Sequence, residues 1–309
     1  MDLQKSLHQA PLFSNLELLA KQVVEGFISG IHKSPFHGYS AEFAEHKIYN
    51  TGESTKHIDW KLFAKTEKLY TKRYEEETNL RCHMILDSSA SMYYPNHDSL
   101  SLDRLNKIGF GTLAIAALMQ LLKKQRDATG LSVYSADFEE SIGEKSSERH
   151  YRMLYDILNR IPQRQDPAKA TRTYSLLHQI AERIHRRSLI FLFSDMLQTE
   201  VESKALFDSL KHLKYNKHEV VLFHLTDRKL ELEFGFEEGP KRFLDVETGE
   251  HIDLYTDQIR ENYKGRMQEY LNELKVRCGQ YKIKYVEADI HQPFAQVLNT
   301  FLVERQKMV

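Results

Sequence analysis

Cys82–Met92 reads CHMILDSSASM, an apolar run that ends abruptly in a carboxylate followed by hydroxyls. Such a run is typical of a buried β-strand whose carboxyl end delivers polar side chains to a loop. A helical pattern follows it, in which apolar residues every three or four positions share one stripe: Leu105, Ile108, Ile115, Met119 and Leu122. This stretch predicts the first strand and the first helix of an α/β unit.

Further runs downstream have the length of strands: Leu131–Tyr134, Phe138–Ile142, Leu189–Phe193, Val220–Leu225 and Ile283–Val286. Helical patterns separate most of them, and a last one runs through Phe294, Val297 and Phe301. Strands that are apolar on both faces need helices on both sides of their sheet. The predicted fold class is therefore α/β, with a doubly wound, mostly parallel six-stranded sheet in which 138–142 forms an antiparallel edge.

Two regions depart from this alternation. Residues 1–80 are predicted to form an N-terminal lead-in, made of an amphipathic helix over Leu16–Ile31 and an irregular or β-rich segment. Residues 81–309 form the α/β domain. Within it, turn sequences between aromatic and β-branched residues predict a pair of inserted β-hairpins at about 226–256.

Composition excludes several classes of protein. The 309 residues carry 43 Lys and Arg against 44 Asp and Glu, a net charge of −1, so no overall basic field favours nucleic acid. The two cysteines do not suggest a disulfide framework. No apolar run reaches the roughly 18 residues that span a bilayer, which argues against direct membrane insertion. We expect a cytoplasmic location.

Sequence motifs of common enzymes are also missing. The chain contains no H-E-x-x-H pair, no G-x-x-x-x-G-K-S/T loop and no G-x-S-x-G elbow. These absences argue against zinc hydrolases, P-loop ATPases and esterases. The sequence therefore favours a non-enzymatic role.

Oxygen-bearing side chains cluster where predicted strands end. Asp87, Ser89 and Ser91 occupy alternate positions after the first strand, and Asp195 follows a second strand. In a doubly wound sheet the carboxyl ends of the strands border the ligand crevice. Carboxylate and hydroxyl oxygens suit Mg²⁺, with Mn²⁺ or Ca²⁺ as alternatives, and a partner's carboxylate can complete the coordination sphere.

This pattern, with a threonine from a further loop, resembles the metal-ion-dependent adhesion site of von Willebrand factor A domains. The sequences YNTGE at 49–53, IDWK at 58–61 and DVETGE at 245–250, with 69–77 and 301–305, resemble the bacterial family called domain of unknown function 58. The resemblance implies a von Willebrand factor A-like sheet and a protein-binding metal site formed by Asp87, Ser89, Ser91, Thr171 and Asp195. Thr173 is the alternative to Thr171.

The same resemblance implies a partner. It points to a MoxR-type AAA+ ATPase, or to a client of that ATPase, in the assembly or maturation of other proteins. A metal-dependent phosphoesterase, a phosphatase or nuclease that uses Asp87 and Asp195, is the alternative function. A metal-free scaffold that makes contacts through the insertion near Phe236 and Phe243 is a third hypothesis.

Simpler interpretations apply to individual residues. Asp87 could satisfy only backbone donors at its turn, with Ser89 and Ser91 capping the next segment. Trp60, the only tryptophan, is predicted to anchor the core of the lead-in. Asp59 is predicted to cap a short helix.

Overall fold

The computed structural model describes residues 15–28, 43–50, 55, 58–74, 80–97, 100–102, 104–164, 173–197, 200–246 and 249–298. The chain divides into two compact units. The smaller unit is Phe36–Leu80, and the larger one combines Met1–Pro35 with Arg81–Val309.

The secondary structure elements are numbered here in chain order. The helices are α1 (Leu16–Ile28), α2 (Trp60–Thr66), α3 (Lys107–Lys124), α4 (Glu148–Arg160), α5 (Thr173–Arg183), α6 (Glu200–Tyr215) and α7 (Thr256–Gln280). The strands are β1 (Phe43–Ile48), β2 (Tyr70–Tyr74), β3 (Arg81–Asp87), β4 (Ala128–Tyr134), β5 (Phe138–Lys145), β6 (Leu189–Ser194), β7 (Glu219–Thr226), β8 (Pro240–Leu244), β9 (His251–Tyr255) and β10 (Lys284–Asp289).

The larger unit is built on a six-stranded sheet with the spatial order β10-β7-β6-β3-β4-β5. All neighbouring strands are parallel except β4 and β5, which are antiparallel. If the six strands of this sheet are renumbered 1 to 6 from β3 to β10 in chain order, their spatial order from the β5 edge is 3-2-1-4-5-6. This is the doubly wound arrangement. The predicted fold class and the antiparallel edge strand are confirmed. The winding reverses between β3 and β6, so their carboxyl ends border the crevice of the sheet.

Helices cover both faces of this sheet. On one face, the apolar sides of α5 and α6 and the end of α7 pack on strand residues such as Ile85, Ile190 and Leu222. On the other face, α3 approaches so closely that a Cβ at Gly111 would lie 3.2 Å from Leu86. Helix α3 lies between the sheet and further helices, α1 among them. Every residue from Lys107 to Leu122 is therefore buried. Apolar burial on both faces is the main stabilising contribution to such a sheet.

Two features differ from the predictions made from the sequence, namely the unit to which α1 belongs and the number of hairpins in the insertion. Helix α1, which was assigned to the lead-in, belongs to the larger unit because its apolar face packs on α3 and α4. Among its described residues, 226–246 and 249–256, the insertion contains one hairpin, β8 paired with β9, instead of two. The residues before the hairpin form a π-helical turn at Arg228–Leu232, and Phe234 and Phe236 pack around Phe243 instead of pairing as strands.

In the smaller unit, β1 and β2 form an antiparallel ladder and α2 lies between them in the chain. Asp59 caps α2 as predicted, since its Oδ1 accepts hydrogen bonds from the backbone N–H groups of Lys61 and Leu62 at 3.0 and 3.1 Å. The prediction for Trp60 is wrong. Trp60 is 62% exposed, like the rest of α2, which buries none of its residues, and among the described rings it contacts only that of Phe63.

We predict that Gly130→Ala destabilises the larger unit by about 1–3 kcal/mol, because an added Cβ would overpack this part of the sheet. That Cβ would lie 2.6 Å from His83 Nδ1 and 2.9 Å from the carbonyl oxygen of Ile142. His83 cannot move freely, since its ring is hydrogen bonded to Glu144 at 2.6 Å and to Ser132 at 2.8 Å. Urea unfolding followed by circular dichroism measures the change.

Gly143→Ala is the matched control for that measurement. Gly143 lies on the neighbouring strand β5, and a Cβ there would meet nothing within 4 Å. We expect its free energy of unfolding to stay within about 0.5 kcal/mol of the unsubstituted protein. Equal effects of the two substitutions would contradict the steric explanation.

Candidate functional site

Asp87 ends the central strand β3, and its carboxylate is buried. The Oδ2 atom accepts a hydrogen bond from Ser194 Oγ at 2.7 Å and a longer one from the Tyr134 hydroxyl at 3.3 Å. The Oδ1 atom accepts one from the backbone N–H of Ser89 at 3.0 Å. Side chains from β4 and β6, the two strands next to β3, therefore hold this carboxylate at the rim of the sheet.

Ser89 and Ser91 lie together beside Asp87, as the alternate spacing predicts. Their hydroxyl oxygens are 3.1 Å apart. Ser89 is the N-cap residue of the 3₁₀ turn Ala90–Tyr93, yet its side chain makes no capping hydrogen bond. The interpretation of these serines as simple caps is therefore incomplete, because the hydroxyl of Ser89 faces its neighbours in the site instead of the backbone of the turn.

Asp195 follows β6 directly and is buried at the same edge of the sheet. Its carboxylate lies close enough to affect the ionisation of Asp87. Burial is the larger cause and the charge of Asp195 the second, and together they raise the pKa of Asp87 to about 6. We call Asp87, Ser89, Ser91 and Asp195 the switch-point site, since they lie where the winding of the sheet reverses.

A lysine that the sequence analysis did not consider lies against this site. Lys107 begins α3, and its side chain is fully buried. Its Nζ donates a hydrogen bond to Asp195 Oδ2 at 2.8 Å and a second, short one to Glu231 Oε1. Burial alone would lower the pKa of Lys107, but the two carboxylates outweigh it and raise that pKa above its usual value. The lysine is therefore charged at neutral pH.

Glu231 reaches the lysine from the π-helical turn of the insertion. Its second oxygen, Oε2, accepts a hydrogen bond from the backbone N–H of Asp227 at 2.9 Å, which fixes the carboxylate in place. Burial raises the pKa of Glu231. Lys107, Asp195 and Glu231 form what we call the buried ion-pair cluster, which links the rim of the sheet to the insertion.

His224 lies on β7, contacts the backbone of Asp195 and contributes no charge. Its Nε2 is 2.8 Å from the backbone carbonyl oxygen of Asp195, and its Nδ1 is 2.8 Å from the Tyr285 hydroxyl. Burial lowers the pKa of His224 to about 4, so the ring is neutral near pH 7. With Nε2 donating to the carbonyl, it positions the backbone of Asp195.

The remaining predicted ligand cannot be placed. Thr171 lies outside the described residues, and of Thr173 only its backbone position at the start of α5 is described. The chain before this segment is anchored beside the site. Arg164 forms an ion pair with Glu139, whose carboxylate also accepts hydrogen bonds from the hydroxyls of Ser88 and Ser135, each at 2.8 Å.

The donor set of the switch-point site fits a hard divalent cation. Asp87 is a buried carboxylate beside a second one, and two serine hydroxyls lie next to it. Among the residues that the structure describes, no group of three or more His, Cys, Asp or Glu could hold a metal ion. Beyond Asp87 and Asp195, a cation at this site would therefore depend on hydroxyls, water and an outside carboxylate for its remaining ligands.

The sequence contains one pattern that could have indicated the buried lysine of the site. The helix that begins KIGFGTLAIAALMQLL carries a single charge before its last turn, and buried lysines require a partner. That signal points to Lys107 but not to Asp195 or Glu231. No local pattern marks Ser194 as a donor to Asp87, since its role depends on the pairing of β3 with β6.

Comparison with known families decides the affiliation of the chain. The family model described as "Protein of unknown function DUF58" matches residues 45–272, most of the sequence. The chain belongs to this family. All of the described residues of the switch-point site lie within the DUF58 match, as do Lys107 and Glu231.

Curated relatives of this DUF58 protein include Uncharacterized protein Rv1480 of Mycobacterium tuberculosis (strain ATCC 25618 / H37Rv) and Uncharacterized protein Mb1516 of Mycobacterium bovis (strain ATCC BAA-935 / AF2122/97). Each is 28% identical over 83 residues, which are 27% of this chain and 26% of the relative. The match thus spans about a quarter of the length of these relatives.

Solved structures with some similarity include BatB from Bacteroides thetaiotaomicron, at 12% identity and a TM-score of 0.39, which covers 73% of this chain and 99% of BatB. An aerotolerance-related membrane protein from Bacteroides fragilis NCTC 9343 is 14% identical with a TM-score of 0.42, and the match covers 73% of this chain and 99% of that protein. The PilB minor pilin from Streptococcus sanguinis is 9% identical with a TM-score of 0.43, and the match covers 78% of this chain and 66% of the pilin. In the described part of this DUF58 protein, every helix is too short or too polar to cross a membrane.

Proposed function

We propose that this DUF58 protein is a non-enzymatic interaction module that binds a carboxylate of a partner protein through Mg²⁺ at the switch-point site. Asp87, Ser89, Ser91 and Asp195 would hold the cation, with Thr171 or Thr173 as a further ligand. When bound, the cation supplies an open coordination position for an Asp or Glu side chain of the partner.

One observation carries the proposal. Asp87 is buried beside Asp195, so its negative charge is poorly solvated, as its pKa of about 6 indicates. A cation at the rim would offset that cost, because opposite charges interact strongly where water is excluded. The hydroxyls of Ser89 and Ser91 lie next to Asp87 and add neutral oxygen ligands.

The proposed partner is a MoxR-type AAA+ ATPase or one of its clients, in keeping with the resemblance of the sequence to proteins that work with such ATPases. The proposed site of action is the cytoplasm. A module of this kind would recruit clients by recognising exposed acidic side chains, so binding would require the cation and an acidic residue of the partner together.

The test is capture of a purified MoxR-type ATPase from the same genome by the immobilised full chain, measured by biolayer interferometry in Mg²⁺ and in EDTA. We expect binding in Mg²⁺ that falls at least about tenfold in EDTA and in Asp87→Ala. Asp137→Ala is the matched control, since Asp137 is an exposed residue that follows β4 at the same edge of the sheet. It should bind like the unsubstituted protein.

Equal binding in Mg²⁺ and EDTA would contradict the metal bridge, and binding unaffected by Asp87→Ala in a folded preparation would do the same. Failure to bind the ATPase under any condition would contradict the proposed partner. Direct titration of the chain with Mn²⁺ then decides whether the metal site exists without that partner.

The phosphoesterase alternative gains one observation, the lysine and third carboxylate beside Asp195. Phosphoryl transfer uses such groups to bind metal and neutralise charge. In this conformation, however, the ammonium of Lys107 is fully buried between two carboxylates and offers no free face to a phosphate. Hydrolysis of p-nitrophenyl phosphate above background, lost in Asp87→Ala, would favour this alternative.

A further inference from the structure

We infer that Lys107 is a built-in competitor of the divalent cation for Asp195, and that Glu231 of the insertion controls this competition. The inference rests on the proposed function, because it concerns the affinity of the same site for its cation. It assigns Lys107 and Glu231 as residues that set this affinity, and it couples the insertion to the metal site.

The first step concerns Asp195, whose two carboxylate oxygens both have partners within the protein. Oδ2 accepts from Lys107 Nζ at 2.8 Å, and Oδ1 accepts from the backbone N–H of Leu197 at 3.3 Å. A divalent cation that used Asp195 would have to share it with an ammonium already in contact. Two positive charges near one buried carboxylate repel each other strongly.

The second step concerns the partner that Lys107 keeps when its ammonium moves away from Asp195. Its Nζ contacts Asp195 and Glu231 at the same time, so the ammonium already has a second carboxylate as a partner. Glu231 is itself held by the backbone N–H of Asp227 within the turn of the insertion. Lys107 can therefore release Asp195 and remain paired, provided that the turn at Arg228–Leu232 stays in place.

The third step concerns the sign of the effect of Glu231. If this carboxylate only added negative charge near the site, its removal would weaken cation binding slightly. If it draws Lys107 away from Asp195, its removal leaves Asp195 as the one carboxylate partner of the ammonium among the described residues, and binding weakens much more. Removing Lys107 and Glu231 together frees Asp195 without altering the net charge of the chain, so the affinity should rise.

The experiment is calorimetric titration of the full chain with Mn²⁺, with Lys107→Met/Glu231→Gln, Glu231→Gln and Asp87→Asn as variants. We expect Mn²⁺ to bind at least about tenfold more tightly to the double variant and several-fold more weakly to Glu231→Gln. Lys123→Met is the matched control, since Lys123 lies in the last turn of α3 and pairs with Glu17 and Glu148. Its affinity should equal that of the unsubstituted chain.

The outcomes separate this inference from the proposed function. If the unsubstituted chain binds Mn²⁺, Asp87→Asn does not, and the other variants bind like the unsubstituted chain, Lys107 is only structural and the inference is overturned. Binding by the double variant alone supports the inference and overturns the proposed function of the unsubstituted chain. Binding by none of them overturns both.

Discussion

Asp87→Asn is expected to make the metal-free protein more stable at pH 7, by about 1–3 kcal/mol, and to abolish any stabilisation by Mg²⁺. Burial and the neighbouring Asp195 raise the pKa of Asp87 from 3.8 to about 6, so the folded state holds a proton on this carboxyl more tightly than the unfolded state does. At pH 7 both states are ionised, and the folded state bears the cost of a poorly solvated charge. Asparagine removes that charge and keeps an acceptor for Ser89 or Ser194.

The pH dependence checks the cause of this effect. Between about pH 6 and pH 4 the unsubstituted carboxyl becomes protonated in the folded state, so the advantage of Asp87→Asn should shrink as the pH falls through this window. Urea unfolding in EDTA at pH 7 and at pH 4.5 measures the difference. Asp137→Asn, at an exposed position, should change little at either pH. A loss of stability in Asp87→Asn at pH 7 would contradict this electrostatic account.

Lys107→Met is expected to lower the free energy of unfolding by about 3–5 kcal/mol at pH 7, because it leaves two buried carboxylates without their cation. Asp195 and Glu231 both contact the ammonium, and neither is much exposed to water. Methionine keeps most of the apolar volume of the lysine, so the loss should come from charge rather than from a cavity. Urea unfolding in EDTA gives the value.

Lys123→Met in the same helix is the control for that measurement. Its partners Glu17 and Glu148 are 40% and 56% exposed, so water can solvate them when the lysine is removed. We expect a loss of at most about 1 kcal/mol. Similar losses at Lys107 and Lys123 would mean that water reaches the buried ion-pair cluster when the lysine is absent.

The order of strands and helices in the larger unit could be predicted because it depends on local patterns. Strands β3, β4, β6 and β7 are short and mostly apolar, and the helices between them show a period of three to four residues, so burial determines their type. The position of Trp60 could not be predicted in this way. An aromatic residue at the start of a short helix is buried only if another element covers it, and α2 buries none of its residues.

The candidate site was predicted in part for a similar reason. The three-residue pattern at Asp87, Ser89 and Ser91 is local, and its hydroxyls do lie together beside the carboxylate. The prediction that Thr171 and Asp195 complete a metal site stays a prediction. Lys107 was overlooked because its partners are 88 and 124 residues away in the chain, a separation that no motif spans.

The sequence by itself determined the class of the fold and the edge of the sheet at which polar residues collect, since both follow from the spacing of apolar side chains and from where each run ends. Only the tertiary structure decided which charges share that edge. The winding of the sheet brings β6 beside β3, and the insertion brings Glu231 to the lysine at the start of α3. Electrostatic energy depends on distance in space and on exclusion of water, and neither can be read from spacing along the chain.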